Sequence, residues 1–259
     1  MSTKYVHLKE ENGLCWIRFN RPEKLNAVNP EVLAELENAL IICEQYEQIK
    51  VVILTGSEKA FIAGADIGNM ANAGIRDAIE LTDLTMRVQE RLADLPKPTI
   101  ASVAGFALGA GCETALCCDF RIAAENALFG LPEIKLGIIP GGGGTQRLPR
   151  LVNPSAAARM ILLGENVNAI EAANIGLVDK VVVLDQLESE TVSFATRLMR
   201  MPPLAVRAAR TAMRKGLNTS LKDGLEIEKA LFCSLFGTLD QKEGMSAFLE
   251  KRKPSFIGR

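Results

Sequence analysis

Two glutamates stand among neighbours that make an ionised carboxylate hard to accommodate. Glu113 lies in Gly111-Cys112-Glu113-Thr114-Ala115-Leu116-Cys117, and Glu133 follows Pro132 and leads into the largely apolar stretch Ile134-Lys135-Leu136-Gly137-Ile138-Ile139. Burying an anion in such company is costly, so each acid must raise its pKa or find a partner. A carboxyl group titrating near neutrality is the usual currency of general acid–base catalysis. For Glu113 the alternative is a structural salt bridge, with Arg121 as the available cation.

Short runs of small residues accompany both acids. Phe61-Ile62-Ala63-Gly64-Ala65-Asp66-Ile67 and Ala104-Gly105-Phe106-Ala107-Leu108-Gly109-Ala110-Gly111 each read as a strand entering a helix start. The first N–H groups of a helix have no intrahelical acceptor and can face a ligand. The first run reads equally well as a tight turn whose small residues only pack. After Glu133, Gly141 to Gly144 bring flexible backbone close to a substrate before Thr145-Gln146-Arg147 begins a helix. No Gly-Lys-Ser/Thr follows them, so they are not a P-loop. Gly109-Ala110-Gly111 lacks the third small residue of a dinucleotide fingerprint, since Thr114 stands there.

Composition narrows the chemistry further. The chain of 259 residues has a single histidine, His7, in the alternating segment Tyr5-Val6-His7-Leu8. A Ser–His–Asp triad or histidine-rich metal site would rest on that residue alone, so carboxylates are the expected acid–base groups and no metal is expected. The six cysteines show no paired ligand spacing and read as reduced, buried thiols. Thirty basic against thirty-one acidic residues give no broad attraction to nucleic acid or anionic membrane, though a local basic patch for a phosphorylated ligand is compatible. No stretch approaches the ~18 apolar residues of a membrane span. Residues 1–13 lack the apolar core of a signal peptide and are too acidic for a transit peptide, which favours the cytoplasm.

The three glycine- and alanine-rich segments, in this order, resemble the crotonase superfamily, and within it the enoyl-CoA hydratases. Arg21-Pro22-Glu23-Lys24-Leu25-Asn26-Ala27 is similar to the family's N-terminal CoA-binding loop, and Glu243-Gly244-Met245-Ser246-Ala247-Phe248-Leu249-Glu250-Lys251-Arg252 to its C-terminal signature. The resemblance implies an α/β fold, a spiral of ββα turns whose C-terminal helices build trimers and hexamers of paired trimers. It implies an acyl-CoA thioester substrate and no cofactor beyond the CoA that arrives with it. Glu113 and Glu133 would be the catalytic acids, and Ala63 and Ala110 the N–H donors to the thioester oxygen. Leu25, Ala27, Ala65, Asp66 and Ile67 would contact CoA, and Gly141 would lie beside the reacting water. Ala110 stands where the family usually has glycine, and Gly68-Asn69 replaces the commoner Lys-Glu pair. A double-bond isomerase of the same superfamily and a non-catalytic acyl-CoA-binding subunit are the alternatives.

These residues need elements to hold them. Asn12-Gly13 marks a hairpin between Tyr5–Leu8 and Leu14–Asn20, and Asn29-Pro30 caps a helix whose Val32, Leu33, Leu36, Leu40 and Cys43 share one face. Val51–Thr55, Thr99–Val103, Phe120–Ala124 and Val178–Val183 read as strands; 56–66 and 105–111 read as loops. Helices are expected over 75–95 and 111–118, with Pro96-Lys97-Pro98 ending the first, and Met70–Ile75 with the helix after it should shape the acyl pocket. From Gln186 the pattern is helical, broken at Met201-Pro202-Pro203, with ends at Gly216 and Gly237. The pattern therefore divides the chain near residue 197 into a core, 1–196, and a helical extension, 197–259, which the resemblance makes the spiral catalytic core and the oligomerisation region.

Overall fold

The computed structural model describes residues 3–259. Two sheets are wound together. The larger has the order β1 (Val6–Glu11), β2 (Leu14–Phe19), β3 (Val51–Thr55), β5 (Thr99–Val103), β7 (Phe120–Ala124) and β10 (Lys180–Val182). The smaller has the order β4 (Ala60–Ala63), β6 (Phe106–Leu108), β8 (Leu128–Gly130) and β9 (Asn166–Asn168). The chain alternates between them: β3 then β4, β5 then β6, β7 then β8, each pair followed by a helical segment. That alternation is the expected spiral of ββα turns.

The opening hairpin turns at Asn12-Gly13, both with positive φ, which suits these residue types. The helices are α1 (Pro30–Gln45), α2 (Ile75–Asp94), α3 (Ala110–Cys117), α4 (Gly144–Leu151), α5 (Pro154–Leu162), α6 (Ala169–Asn174) and α7 (Leu187–Met199), then α8 (Pro203–Gly216), α9 (Leu221–Leu235) and α10 (Leu239–Leu249). Asn29 caps α1 by accepting the Val32 N–H at 2.9 Å, a contact worth about 1 kcal/mol. β3 and β5 are buried at every position, as strands covered on both faces must be. One face meets α1 and α2 through Leu36, Leu40, Val88 and Leu92; the other meets α7 through Leu187 and Ala195.

Two expected loops contain strands. β4 lies within 56–66 and β6 within 105–111. At four and three residues they are too short to display an alternation, and only parallel pairing with each other and with β8 defines them. Gly105 permits the close approach: its φ is +60°, and a Cβ there would lie 2.0 Å from the Lys59 carbonyl oxygen. Five of the six cysteines are buried; Cys233, on α9, is exposed, contrary to the expectation for all six. No helix among the described residues is long and apolar enough to cross a membrane.

Candidate functional site

Sheet register assembles the site. β4, β6 and β8 run parallel with Ala63 opposite Leu108 and Leu108 opposite Gly130, so the loops leaving their C-terminal ends are adjacent. Ligands of α/β sheets gather at such strand ends. The three loops touch at Gly109, φ +50°: a Cβ there would lie 3.0 Å from Glu133 Oε1 and 3.6 Å from Gly64 Cα. α3 then packs directly on β4, since a Cβ on Gly111 would come within 2.0 Å of the Ile62 carbonyl oxygen.

Glu113 stands one turn inside α3 and is 3% exposed. Its Oε1 accepts the N–H groups of Gly142 and Gly144, both at 2.8 Å. Gly144 is the first residue of α4, so an unpaired helix-start donor is turned on the carboxylate. Burial pushes the Glu113 pKa up; the two N–H bonds and the nearby Arg147 charge pull against it. The salt bridge with Arg121 is not formed. Arg121 donates instead to the carbonyls of Leu177, Ala115, Cys118 and Asp119, and Asp179 lies 3.6 Å away.

Glu133 is held differently. It rides on a 3-10 turn, Pro132–Leu136, closed by left-handed Gly137. Its buried Oε2 has no hydrogen-bond partner among the described residues. Burial pushes its pKa up to about 7, its own backbone N–H opposes the rise, and the Glu113 charge adds to it. A buried polar atom left unpartnered asks for an explanation, and a ligand that completes the site is one. The two acids thus share a site in which burial pushes both pKa values up, and they differ in what opposes the rise. Glu113 is furnished with donors that favour the anion, and Glu133 is left to favour the acid.

The backbone donors differ from expectation at one position. The Ala63 N–H donates to the Leu25 carbonyl at 3.0 Å and is not free for a ligand. Two residues on, Ala65 forms an isolated parallel bridge with Val28, made by Val28 N–H to the Gly64 carbonyl and Asp66 N–H to the Val28 carbonyl. That pattern leaves the Ala65 N–H on the other side, with no acceptor among the described residues. The Ala110 N–H, at the first position of α3, has none either.

The Arg21–Ala27 loop docks on this edge. Leu25 and Asn26 have positive φ, Asn26 is buried with its amide donating to the carbonyls of Ala60 and Phe61, and Ala27 is buried beside it. Asp66 is committed within the protein: Arg21 contacts its carboxylate at 2.7 Å and keeps it below the usual carboxylate range. It ties two loops together rather than offering a free charge. Ile67 and Gly141 are exposed at the rim, and the Gly141 N–H has no acceptor among the described residues. A cavity of about 1060 Å³ lies behind the glycine loop, between α2, α4 and α8; it touches Gly142, Gly143 and Arg147 but neither glutamate.

Gly142 and Gly144 belong to the glycine run expected to approach a substrate, but their bonds to Glu113, and any part for Arg147 and Gln89, were not read from the sequence. Arg147 closes the glycine motif, and Gln89 is a polar residue beside Val88 on the buried stripe of α2, which was a usable signal. Among the described residues no group of three or more His, Cys, Asp and Glu could hold a metal ion.

Comparison with known proteins bears on this arrangement. The pattern of the enoyl-CoA hydratase/isomerase family matches residues 9–259. A crotonyl-CoA hydratase of Syntrophomonas wolfei is 45% identical over 260 residues, covering 100% of both chains. A 2,3-dehydroadipyl-CoA hydratase of Escherichia coli is 45% identical over 252 residues, covering 97% of this chain and 98% of that one. The crystal structure of an enoyl-CoA hydratase from Bacillus anthracis superposes with a TM-score of 0.94 at 39% identity, over 99% of this chain and 100% of that one. The chain is a member of the enoyl-CoA hydratase/isomerase family, and it has the crotonase fold.

Proposed function

We infer that the protein is an enoyl-CoA hydratase, adding water reversibly across the C2–C3 double bond of a trans-2-enoyl-CoA. The observation that carries the reading is the pair of acids at neighbouring strand ends, Glu113 accepting two backbone N–H groups and Glu133 with an oxygen unpartnered among the described residues and a pKa raised to about 7. Full-length hydratase relatives support it.

In the mechanism, the thioester oxygen accepts the N–H groups of Ala65 and Ala110, whose backbone donors have no acceptor among the described residues. Negative charge reaching that oxygen makes C3 electrophilic, and losing one such donor typically costs on the order of 10²–10³ in rate. Glu113 takes a proton from water as the hydroxyl oxygen bonds to C3. Glu133 delivers its proton to C2, quenching the enolate. The substrate gains H and OH, and the proton on Glu113 then returns to Glu133 or solvent to reset the pair. Gly141 N–H steadies the water. Leu25, Ala27, Asp66 and Ile67 border the CoA channel, with Asp66 acting through its tie to Arg21. No cofactor enters, because CoA comes with the substrate. The rim Met70–Ile75 and α2 shape the acyl pocket. The region 197–259 builds the oligomer, and the enzyme works in the cytoplasm.

The test is loss of the conjugated-thioester absorbance of crotonyl-CoA on adding the purified protein. Turnover is expected. Isomerisation of a 3-enoyl-CoA without hydration would shift the reading to an isomerase, and tight acyl-CoA binding with neither reaction to a binding subunit.

A further inference from the structure

Behind the glycine loop a cation grips the backbone that holds Glu113. Arg147 projects from α4, and its Nη1 donates to the Gly142 carbonyl at 2.8 Å and to Gln89 Oε1 at 3.4 Å. Gly142 is the residue whose N–H bonds Glu113 on the opposite side of the same loop. The guanidinium lies against the neighbouring peptide as well: at Gly143, φ +100°, a Cβ would fall 2.1 Å from Nη1. Gln89 closes the arrangement from α2. It is 3% exposed, and a Cβ on Gly142 would lie 2.7 Å from both its Nε2 and Glu113 Oε2. Arg147 has no acidic partner among its contacts, so its charge is directed at the loop and, through it, at Glu113.

We propose that Arg147, steadied by Gln89, is a positioning residue: it fixes the Gly142 carbonyl so that the N–H groups of Gly142 and Gly144 hold Glu113 as the catalytic anion. This rests on Glu113 being the base of the hydration. A peptide unit is rigid, so a hydrogen bond at the Gly142 carbonyl constrains the plane between Gly142 and Gly143. With Arg147 packed on Gly143, the loop between two Glu113 donors has little freedom to turn away. Charge-assisted bonds of this kind are roughly twice as strong as neutral ones. Other charged or titratable groups facing Glu113 are Glu133 on its 3-10 turn and Cys112 and Cys117 on α3; α2 contributes only neutral Gln89. None of these supplies a replacement cation.

The experiment compares the wild type with Arg147→Met and Gln89→Leu by the pH dependence of crotonyl-CoA hydration and by titration of the 13C-labelled glutamate carboxyls, with Glu113→Gln assigning the signal. The variants lose the grip, so Glu113 holds its proton to higher pH. The acid limb of the kcat profile should move up by about one pH unit or more in Arg147→Met, a tenfold loss of the basic form below it. The bell then narrows against the alkaline limb while KM stays within about threefold. Gln89→Leu should shift the limb in the same direction by less. The Glu113 carboxyl signal should titrate at correspondingly higher pH, and this readout does not require turnover, so a failed hydratase reading leaves it interpretable. A purely structural role would instead lower the whole bell uniformly. An unmoved acid limb and an unmoved Glu113 titration in folded Arg147→Met would overturn the proposal. If that variant does not fold, Arg147→Lys, whose shorter side chain lacks the guanidinium packed on Gly143, is held to the same two readouts.

Discussion

Glu113 and Glu133 have the same side chain and are set apart by what their oxygens meet. Two N–H groups meet Oε1 of Glu113, and no hydrogen-bond partner among the described residues meets Oε2 of Glu133. Hydration then needs Glu133 protonated and Glu113 ionised. With the Glu133 carboxyl at about 7, kcat/KM should fall as pH rises through that region, because the proton donor is being lost. It should fall again on the acid side as Glu113 takes a proton. The two limbs belong to the coupled pair rather than to either residue alone. A pH–rate profile of crotonyl-CoA hydration checks this, and activity that only rises from pH 6 to 9 would refute the assignment of Glu133 as acid. Glu113→Gln and Glu133→Gln should each cut kcat by about 10²–10⁴ with little change in acyl-CoA binding. Residues that act as a unit in one reaction are non-additive, so the double variant should be far less impaired than the product of the two losses. Retention of more than about a tenth of wild-type kcat by both single variants would remove the two-glutamate mechanism, being well short of that range. Both acids stood out in the sequence by their apolar neighbours, Cys112, Leu116 and Cys117 for Glu113 and Pro132 and Ile134 for Glu133, although a salt bridge to Arg121 was the alternative for Glu113. The free alanine N–H did not, because it depends on the Leu25 carbonyl reaching Ala63 across the fold.

At the scale of elements, the start of α3 and the glycine loop before α4 carry the backbone chemistry. Ala110 is the first residue of α3, a position where proline is well tolerated by a helix. Ala110→Pro therefore removes the N–H with modest structural cost and should lower kcat by about 10²–10³. Ala110→Gly keeps the donor and should be mild. Near-normal kcat in an Ala110→Pro protein with wild-type circular dichroism would show that this N–H does not act on the thioester. The loop offers a second contrast. A methyl group at Gly142 would collide with Gln89 and Glu113 at 2.7 Å, whereas one at Gly141 meets only Thr82 Oγ1 at 3.9 Å. Gly142→Ala should lose far more kcat than Gly141→Ala, and equal losses would contradict the close packing around Glu113. The long elements were readable in advance: α1 from its Asn-Pro cap and apolar face, β3 and β5 as short β-branched runs. β4 and β6 were not, since each is too short to show an alternation and is defined by parallel pairing within the smaller sheet. The candidate site lies at the ends of those two strands, so its geometry came from pairings that local pattern does not encode.

For the whole molecule, the helices after residue 200 present a different balance from the core. α8 is tied to the spiral by ion pairs, Arg210 to Asp119 at 2.8 Å and Arg214 to Asp94 at 3.4 Å, and Arg210 also reaches the Leu95 carbonyl. α9 has no buried residue, and α10 buries only Asp240 and Ala247. Phe248 and Leu249 are 82% and 80% exposed, and Leu225, Phe232, Phe236, Leu239 and Met245 are exposed with them. Apolar surface gathered on two adjacent helices is uncommon on a monomer and marks an interaction face. Burying each large side chain is worth about 1.5–3 kcal/mol, so a handful covered at once suffices for a stable assembly. A second copy of the same chain is the partner that the family resemblance implies, and closed rings of identical subunits satisfy such a face without leaving it open. Light scattering at micromolar concentration should therefore give a trimer or hexamer, and a mass of 28.0 kDa would defeat the expectation. Phe248→Glu places a charge where the exposed ring is expected to be covered. It should shift the population toward the monomer and lower the apparent Tm at fixed protein concentration, because association stabilises the folded chain by mass action. Since Glu113, Glu133 and the loops around them are assembled within one chain, any loss of activity in that variant should track its mass and recover as concentration is raised. A variant that stays fully assembled would mean that Phe248 lies outside the contact.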